Sequence, residues 1–190
     1  MSDSVDQRAE GDEQTLPANH PVSVMKQENA AIQDLTTEMR GELGAIEQLP
    51  LHGDPKPHLD TLRTRIQDLK SINVHYQRKE EVLFPYLEQK GVTGPSKVMW
   101  AKDDEVRELV NGFEEALASD SGTVGDWKVV SQAVGRPALD AIDEMAYKEE
   151  QILFPMAMQQ LTGPEWVRIS QQSYPFGWCM VPEPPPYQPV

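Results

Sequence analysis

Cysteine is almost absent from the chain: Cys179 is the single one among 190 residues. That excludes an intramolecular disulfide framework and a zinc site built of several thiolates. No stretch approaches the roughly 18 apolar residues that cross a bilayer, so no membrane span is expected. The N-terminus reads Met-Ser-Asp-Ser-Val-Asp, acidic and without an apolar run, which is no signal peptide, and a cytoplasmic protein is expected. Runs of β-branched residues bounded by turns are missing, which argues against strands. Basic residues are few, 17 against 31 acidic, and the formal net charge is −14. Nucleic acid and anionic membrane are thereby disfavoured as partners, because their phosphates would be repelled. Also missing are a Gly-rich phosphate loop, a nucleophile elbow, a Cys-x-x-Cys pair and a His-Glu-x-x-His motif. No serine stands out beside a base, so catalysis is not the expected activity.

What is present is helical periodicity. Residues 1–17 are polar and acidic, with little to bury, and read as disordered. Residues 174–190 carry Pro182, Pro184, Pro185, Pro186 and Pro189 and read as an extended tail over the surface or into solvent. Between them, residues 18–173 form one domain. The first helix runs from about His20 to Leu49, with Met25, Ile32, Leu35, Met39, Leu43 and Ile46 on one stripe. The second runs from about Pro57 to Gln89, and Gly91 is its stop. The third follows Thr93-Gly94-Pro95 and ends at Asp120-Ser121-Gly122. The fourth runs from about Val124 to Leu161, with a kink or break at Pro137. A short fifth follows Thr162, which has capping-box spacing to Glu165. Long helices joined by short loops favour an all-α, antiparallel up-down four-helix bundle with a short C-terminal helix and extended tails. The acid excess suits a solvated surface or an interior fit for cations; the composition leaves both open.

The strongest feature is a repeat. Arg78-Lys79-Glu80-Glu81-Val82-Leu83-Phe84-Pro85 aligns with Lys148-Glu149-Glu150-Gln151-Ile152-Leu153-Phe154-Pro155. Both segments then reach a Thr-Gly-Pro triplet. The plain reading is a duplicated helical hairpin. Each proline lies inside a helical pattern, so both helices are expected to kink, either to wrap the core or to aim upstream residues at a central site.

With His75 and Glu80 upstream of Leu83-Phe84-Pro85, the second helix resembles the motif of the hemerythrin HHE cation-binding family. Glu149-Glu150-Leu153-Phe154-Pro155 resembles its fourth-helix counterpart. Glu28-Asn29 followed by Ile32, and Asp103 followed by Val106-Arg107, look like the partner motifs of the first and third helices. The chain is also similar to a subgroup often found ahead of PAS sensor domains, on His75-Tyr76-Gln77-Arg78-Lys79-Glu80, Val98-Met99-Trp100 and Gly177-Trp178-Cys179. The resemblance implies a bundle holding non-heme iron, usually two ions, that binds or senses oxygen, nitric oxide or redox state. Its ligands are histidines and carboxylates facing the bundle axis.

Position by position, this sequence departs from that pattern. The second-helix histidine falls on His75, but the carboxylate four residues later falls on Lys79. In the fourth helix the two positions are Met145 and Glu149. The first- and third-helix histidine positions are Asn29 and Asp103. Three arrangements follow. Lys79 and Glu149 face each other as an ion pair where iron would sit, giving a metal-free interaction or regulatory module with Glu80 and Glu150 solvated or paired with Arg78 and Lys148. Alternatively, His75 binds heme as an axial ligand with Met145 as the second. The third arrangement is a mononuclear metal among His75, Asp103 and Glu149, with Tyr76 or Tyr147 nearby. Iron, heme or no cofactor are thus all open, and the partner classes are a small diatomic ligand or a protein docking through the bundle surface or the Pro-rich tail. His20 is a helix cap or a companion of His75. His52 and His58 face solvent, and Trp100, Trp166 and Trp178 are packing residues.

Overall fold

The computed structural model describes residues 16–189, so most of the disordered segment expected over residues 1–17 lies outside the described residues. Helix α1 spans Pro21–Gln48. Helix α2 covers residues 56–89 in four consecutive segments, Lys56–Leu69, Ile72–Arg78, Lys79–Leu83 and Phe84–Gln89. Helix α3 spans Gly94–Leu117. Helix α4 covers residues 124–160, and α5 spans Gly163–Ser173. No strand occurs among the described residues, and no helix among them is long and apolar enough to cross a membrane.

Local chemistry sets the boundaries. Pro21 occupies the first turn of α1, where its missing N–H costs nothing, and His20 Nδ1 accepts the Val22 N–H at 3.2 Å. Thr123 with Asp126 and Thr162 with Glu165 form reciprocal capping boxes at the starts of α4 and α5. Gly91, at φ +82°, turns the chain out of α2.

The internal prolines have a common solution. Pro85, Pro137 and Pro155 each lie two residues after a five-residue π-helical turn, Lys79–Leu83, Ser131–Gly135 and Glu149–Leu153. The Phe84, Arg136 and Phe154 N–H groups donate to the carbonyls of Lys79, Ser131 and Glu149, five residues back. A proline ring crowds the carbonyl four residues earlier, and the wider turn relieves that crowding without breaking the helix. The repeat read from the sequence is therefore a repeat of backbone form as well. In α2 the opposite device lies upstream. Ser71, Asn73 and Val74 donate to carbonyls three residues back, a tight turn, so the segment carrying His75 is bracketed by a tight turn and a wide one.

Helix α1 packs on α2 and α4, α2 on α3, and α3 on α4. Cross-helix pairs mark the order of contact. Glu28 meets His75, Glu38 meets Arg65 and Glu42 meets His58 between α1 and α2. Thr36 meets Asp143 and Glu47 meets Arg136 between α1 and α4. The shared interior holds Ile32, Met39, Leu62, Ile66, Phe113, Leu139 and Phe154. His20 is buried between Trp166 and Tyr187, both rings centred 4.8 Å away, so it is a cap and lies apart from His75's partners. His52 is exposed, whereas His58 is half-buried and bonded to Glu42 at 2.6 Å. Trp100, expected as a packing residue, is 44% exposed.

After α5 the chain runs back over the bundle. Tyr174 donates to the Pro184 carbonyl at 2.7 Å, and Asn19 donates to the Pro186 carbonyl at 3.2 Å. Cys179 is fully buried, and its backbone N–H reaches Glu28 Oε1 at 2.8 Å.

Candidate functional site: a buried charge network

Apolar stripes normally exclude charge. Here each long helix carries ionisable side chains within its apolar stripe. On α1 Glu28 falls between Met25 and Ile32. On α2 His75 and Lys79 fall between Ile72 and Leu83. On α3 Asp103 falls between Met99 and Val106, and on α4 Glu149 falls between Met145 and Leu153. Helical spacing places these residues on the inward faces, and all five are fully buried.

Burying five ionisable groups is tolerable only if each finds partners. Lys79 Nζ donates to Asp103 Oδ1 at 2.7 Å and to Glu149 Oε1. It also lies 4.3 Å from the centre of the Tyr76 ring, which attracts an ammonium face-on. Glu149 Oε2 pairs with His75 Nε2 at 2.9 Å. Glu28 Oε2 pairs with His75 Nδ1 at 2.7 Å. Arg78 embraces Glu28 with two hydrogen bonds, at 2.7 and 2.8 Å. Beside this set, Arg107 grips the buried Glu80 at 3.0 and 2.8 Å.

His75 is the centre of the arrangement. An imidazole with a carboxylate on each nitrogen satisfies both only when both nitrogens carry protons. Burial alone would favour the neutral ring, but the Glu149 and Glu28 carboxylates outweigh it and hold the pKa up at about 9. Burial would likewise raise Glu149; Lys79 and His75 reverse that and bring it down to about 2. Glu28 is lowered in the same way, against burial, by His75 and Arg78. Asp103 differs. Burial raises it to about 7, Lys79 opposes only in part, and the nearby Glu149 charge adds to the rise. Its Oδ2 and the Tyr76 hydroxyl have no hydrogen-bond partner. With Asp103 ionised, the carboxylates of Glu28, Asp103 and Glu149 are balanced by Lys79, Arg78 and protonated His75.

The ion pair expected between Lys79 and Glu149 is present, and Asp103 joins it. The facial triad of His75, Asp103 and Glu149 does not assemble: His75 touches Glu149 but turns its other nitrogen to Glu28, and the Lys79 ammonium sits between Asp103 and Glu149. Among the described residues no three His, Cys, Asp or Glu side chains converge as a metal site would require. Tyr147 is 65% exposed and takes no part. Both His75 nitrogens are taken by Glu28 and Glu149, which leaves none for an axial bond paired with Met145. Met145 is buried beside a small cleft between α3 and α4 with Val106 and Ala141.

Asn29 donates to Glu150 at 3.4 Å, and the residue of α1 that reaches the centre is Glu28. Glu80 was expected to be solvated or paired with Arg78. Both are 4% exposed and take partners on other helices. The signal that would have found Glu28 is its place on the apolar stripe, between Met25 and Ile32.

The chain matches the family described as Hemerythrin HHE cation binding domain over residues 20–157. That span takes in α1 to α3 and nearly all of α4, and the chain belongs to this family. No curated protein matches it. The family is one of cation-binding domains, and this interior does not fit a metal as it is arranged. Three cations of the protein's own already neutralise the central carboxylates, and His75 has no free nitrogen lone pair to offer.

Proposed function

We propose that this hemerythrin-type domain is a metal-independent regulatory or interaction module, an antiparallel four-helix bundle in which the Lys79 ammonium takes the place of the metal centre. The opposed numerical order of the cross-helix pairs supports the antiparallel arrangement. Glu28, Glu38 and Glu42 on α1 meet His75, Arg65 and His58 on α2. The observation that carries the functional reading is the position of Lys79 Nζ between Asp103 and Glu149, with His75 bonded on both sides. A fixed cation keeps Glu149 ionised and ties α2 to α3 and α4, while His75 adds α1 through Glu28, as an ion would, without redox chemistry.

A second reading is cation binding with iron as the ion and a diatomic gas or redox state as the signal. It is favoured by the family match together with the unpaired Oδ2 of Asp103. It requires Lys79 to swing out and His75 to lose a proton before any ligand set forms.

Metal analysis and an absorption spectrum of protein purified from iron-supplemented cells separate the two. The metal-independent reading expects substoichiometric metal and no heme Soret band. Stoichiometric iron, or a Soret band lost in His75→Ala, would replace it with the second reading.

A further inference from the structure

The buried contacts form one unbroken line across the bundle. It starts at Asp103 on α3, which accepts from Lys79 on α2. Lys79 donates to Glu149 on α4. Glu149 accepts from His75, and the other nitrogen of His75 donates to Glu28 on α1. Glu28 Oε1 then accepts the backbone N–H of Cys179, in the segment that follows α5. Arg78 reinforces this last step, since it binds Glu28 and also donates to the Gly177 carbonyl at 3.0 Å.

Glu149 and Glu28 each divide their two oxygens between different neighbours, so neither can turn without giving up a bond. Shared, charge-assisted hydrogen bonds in a dry interior support one another. The segment they hold also rests on the core through Cys179, Phe176 and Met180. Met180 sits at φ +58°, a backbone form that side-chain-bearing residues seldom adopt, so surrounding contacts must hold it there. Trp178 lies against Arg78, 5.8 Å from guanidinium carbon to ring centre, and edge-on to Tyr174. Trp178 also lines a small cleft together with Val24, Met25, Leu83 and Ile169.

We propose that residues 174–181 are a strap held closed by the buried charge network, so that a break in the network as far away as Asp103 or Lys79 releases the strap. The strap is the output of the module, and the network is its latch. A latch of this kind needs two arrangements of one element biased from a distant site, which is the physical content of allosteric coupling.

Cys179 makes the test direct. It is the chain's single cysteine and belongs to the strap itself, with its side chain fully buried and Sγ 3.3 Å from Ser71 Oγ. Labelling of the native full-length protein with a thiol-reactive disulfide reads strap opening. The variants are Lys79→Met and Asp103→Asn, neither of which touches the strap, and the control is Leu139→Ala, a core truncation on α4. Asp103→Asn keeps size and shape, so it carries the test if Lys79→Met does not fold. The proposal expects both network variants to label faster than wild type by a factor of about ten or more, while the control labels near the wild-type rate at a comparable loss of Tm. Unchanged labelling in folded Asp103→Asn, or acceleration in the control that tracks its Tm, would overturn it. The inference rests on the network being free of metal. Metal measured in the same samples would overturn that reading, whereas unchanged labelling of metal-free protein would overturn only the strap.

Discussion

His75 bridges Glu28 and Glu149, with Nδ1 2.7 Å from one carboxylate and Nε2 2.9 Å from the other. This joins α1, α2 and α4 through one ring that carries its own positive charge. In that state His75 donates to both neighbours and accepts from neither, the reverse of what a metal ligand does. The stability and pH response of the bundle follow from this relationship and from Lys79 beside it.

Removing Lys79 leaves two buried carboxylates short of a cation. Lys79→Met is expected to destabilise the fold by about 3–5 kcal/mol, the range for breaking a buried ion pair from one side. Combining it with Glu149→Leu should cost less than the sum of the two single changes, because the second change removes the charge that the first strands. Denaturant unfolding of the four proteins measures this. Additive losses would mean that the two groups do not interact.

The response to alkaline pH has a definite sign. Folded protein keeps the His75 proton up to about pH 9, whereas an unfolded histidine releases it near 6.5. Below about 6.5 this contribution is present in full, and it is lost as pH rises through about 9. The gap corresponds to stability on the order of 3 kcal/mol. Asp103, raised by burial to about 7, has the same sign and adds to the decline over a lower range, from its ordinary 3.8 up to 7. Glu149 acts at the acid end, since its carboxyl is held at about 2, and that contribution is lost as pH falls below 4.5 and through 2. Unfolding free energies should therefore drop between about pH 6 and pH 9.5, and His75→Gln should flatten that drop.

The π-helical turn at Ser131–Gly135 gives a packing prediction. A Cβ on Gly135 would lie 2.9 Å from Leu43 Cδ1 and 3.1 Å from the Phe113 ring. Both are fully or nearly fully buried side chains of neighbouring helices that cannot simply move aside. Gly135→Ala should cost about 1–3 kcal/mol, as overpacking does, although alanine is the better helix former. A neutral or stabilising result in thermal unfolding would show that the two helices have room to spare.

Much of this is legible in the amino-acid sequence. The Leu-Phe-Pro repeat places Lys79 and Glu149 at equivalent positions, six residues before Pro85 and Pro155, and equivalent positions in a duplicated hairpin meet at the shared axis. The prolines announced a distortion; its form, a widened turn, depends on how the chain relieves one crowded carbonyl and is not written in the proline itself. Glu28 was harder because motif alignment pointed one residue further, to Asn29, whereas the apolar stripe points to Glu28. Glu80 was misread as solvated or paired with its neighbour Arg78, because charge next to charge on a helix usually is. Both are buried because α1 and the strap cover one flank of Lys79 and Arg107 of α3 covers the other, and those neighbours come from distant parts of the chain. Cys179, alone in a Pro-rich segment, gave no sign that its backbone would reach Glu28.

The protonation of His75 tests the central claim most directly. Nitrogen-15 NMR of the histidine rings near pH 7.5, with His75 assigned by comparison with His75→Gln, reports whether each ring nitrogen carries a proton. The charge network requires an imidazolium, with both His75 nitrogens protonated and both N–H protons protected from exchange with water. A His75 ring with one bare or metal-bound nitrogen at that pH would contradict it.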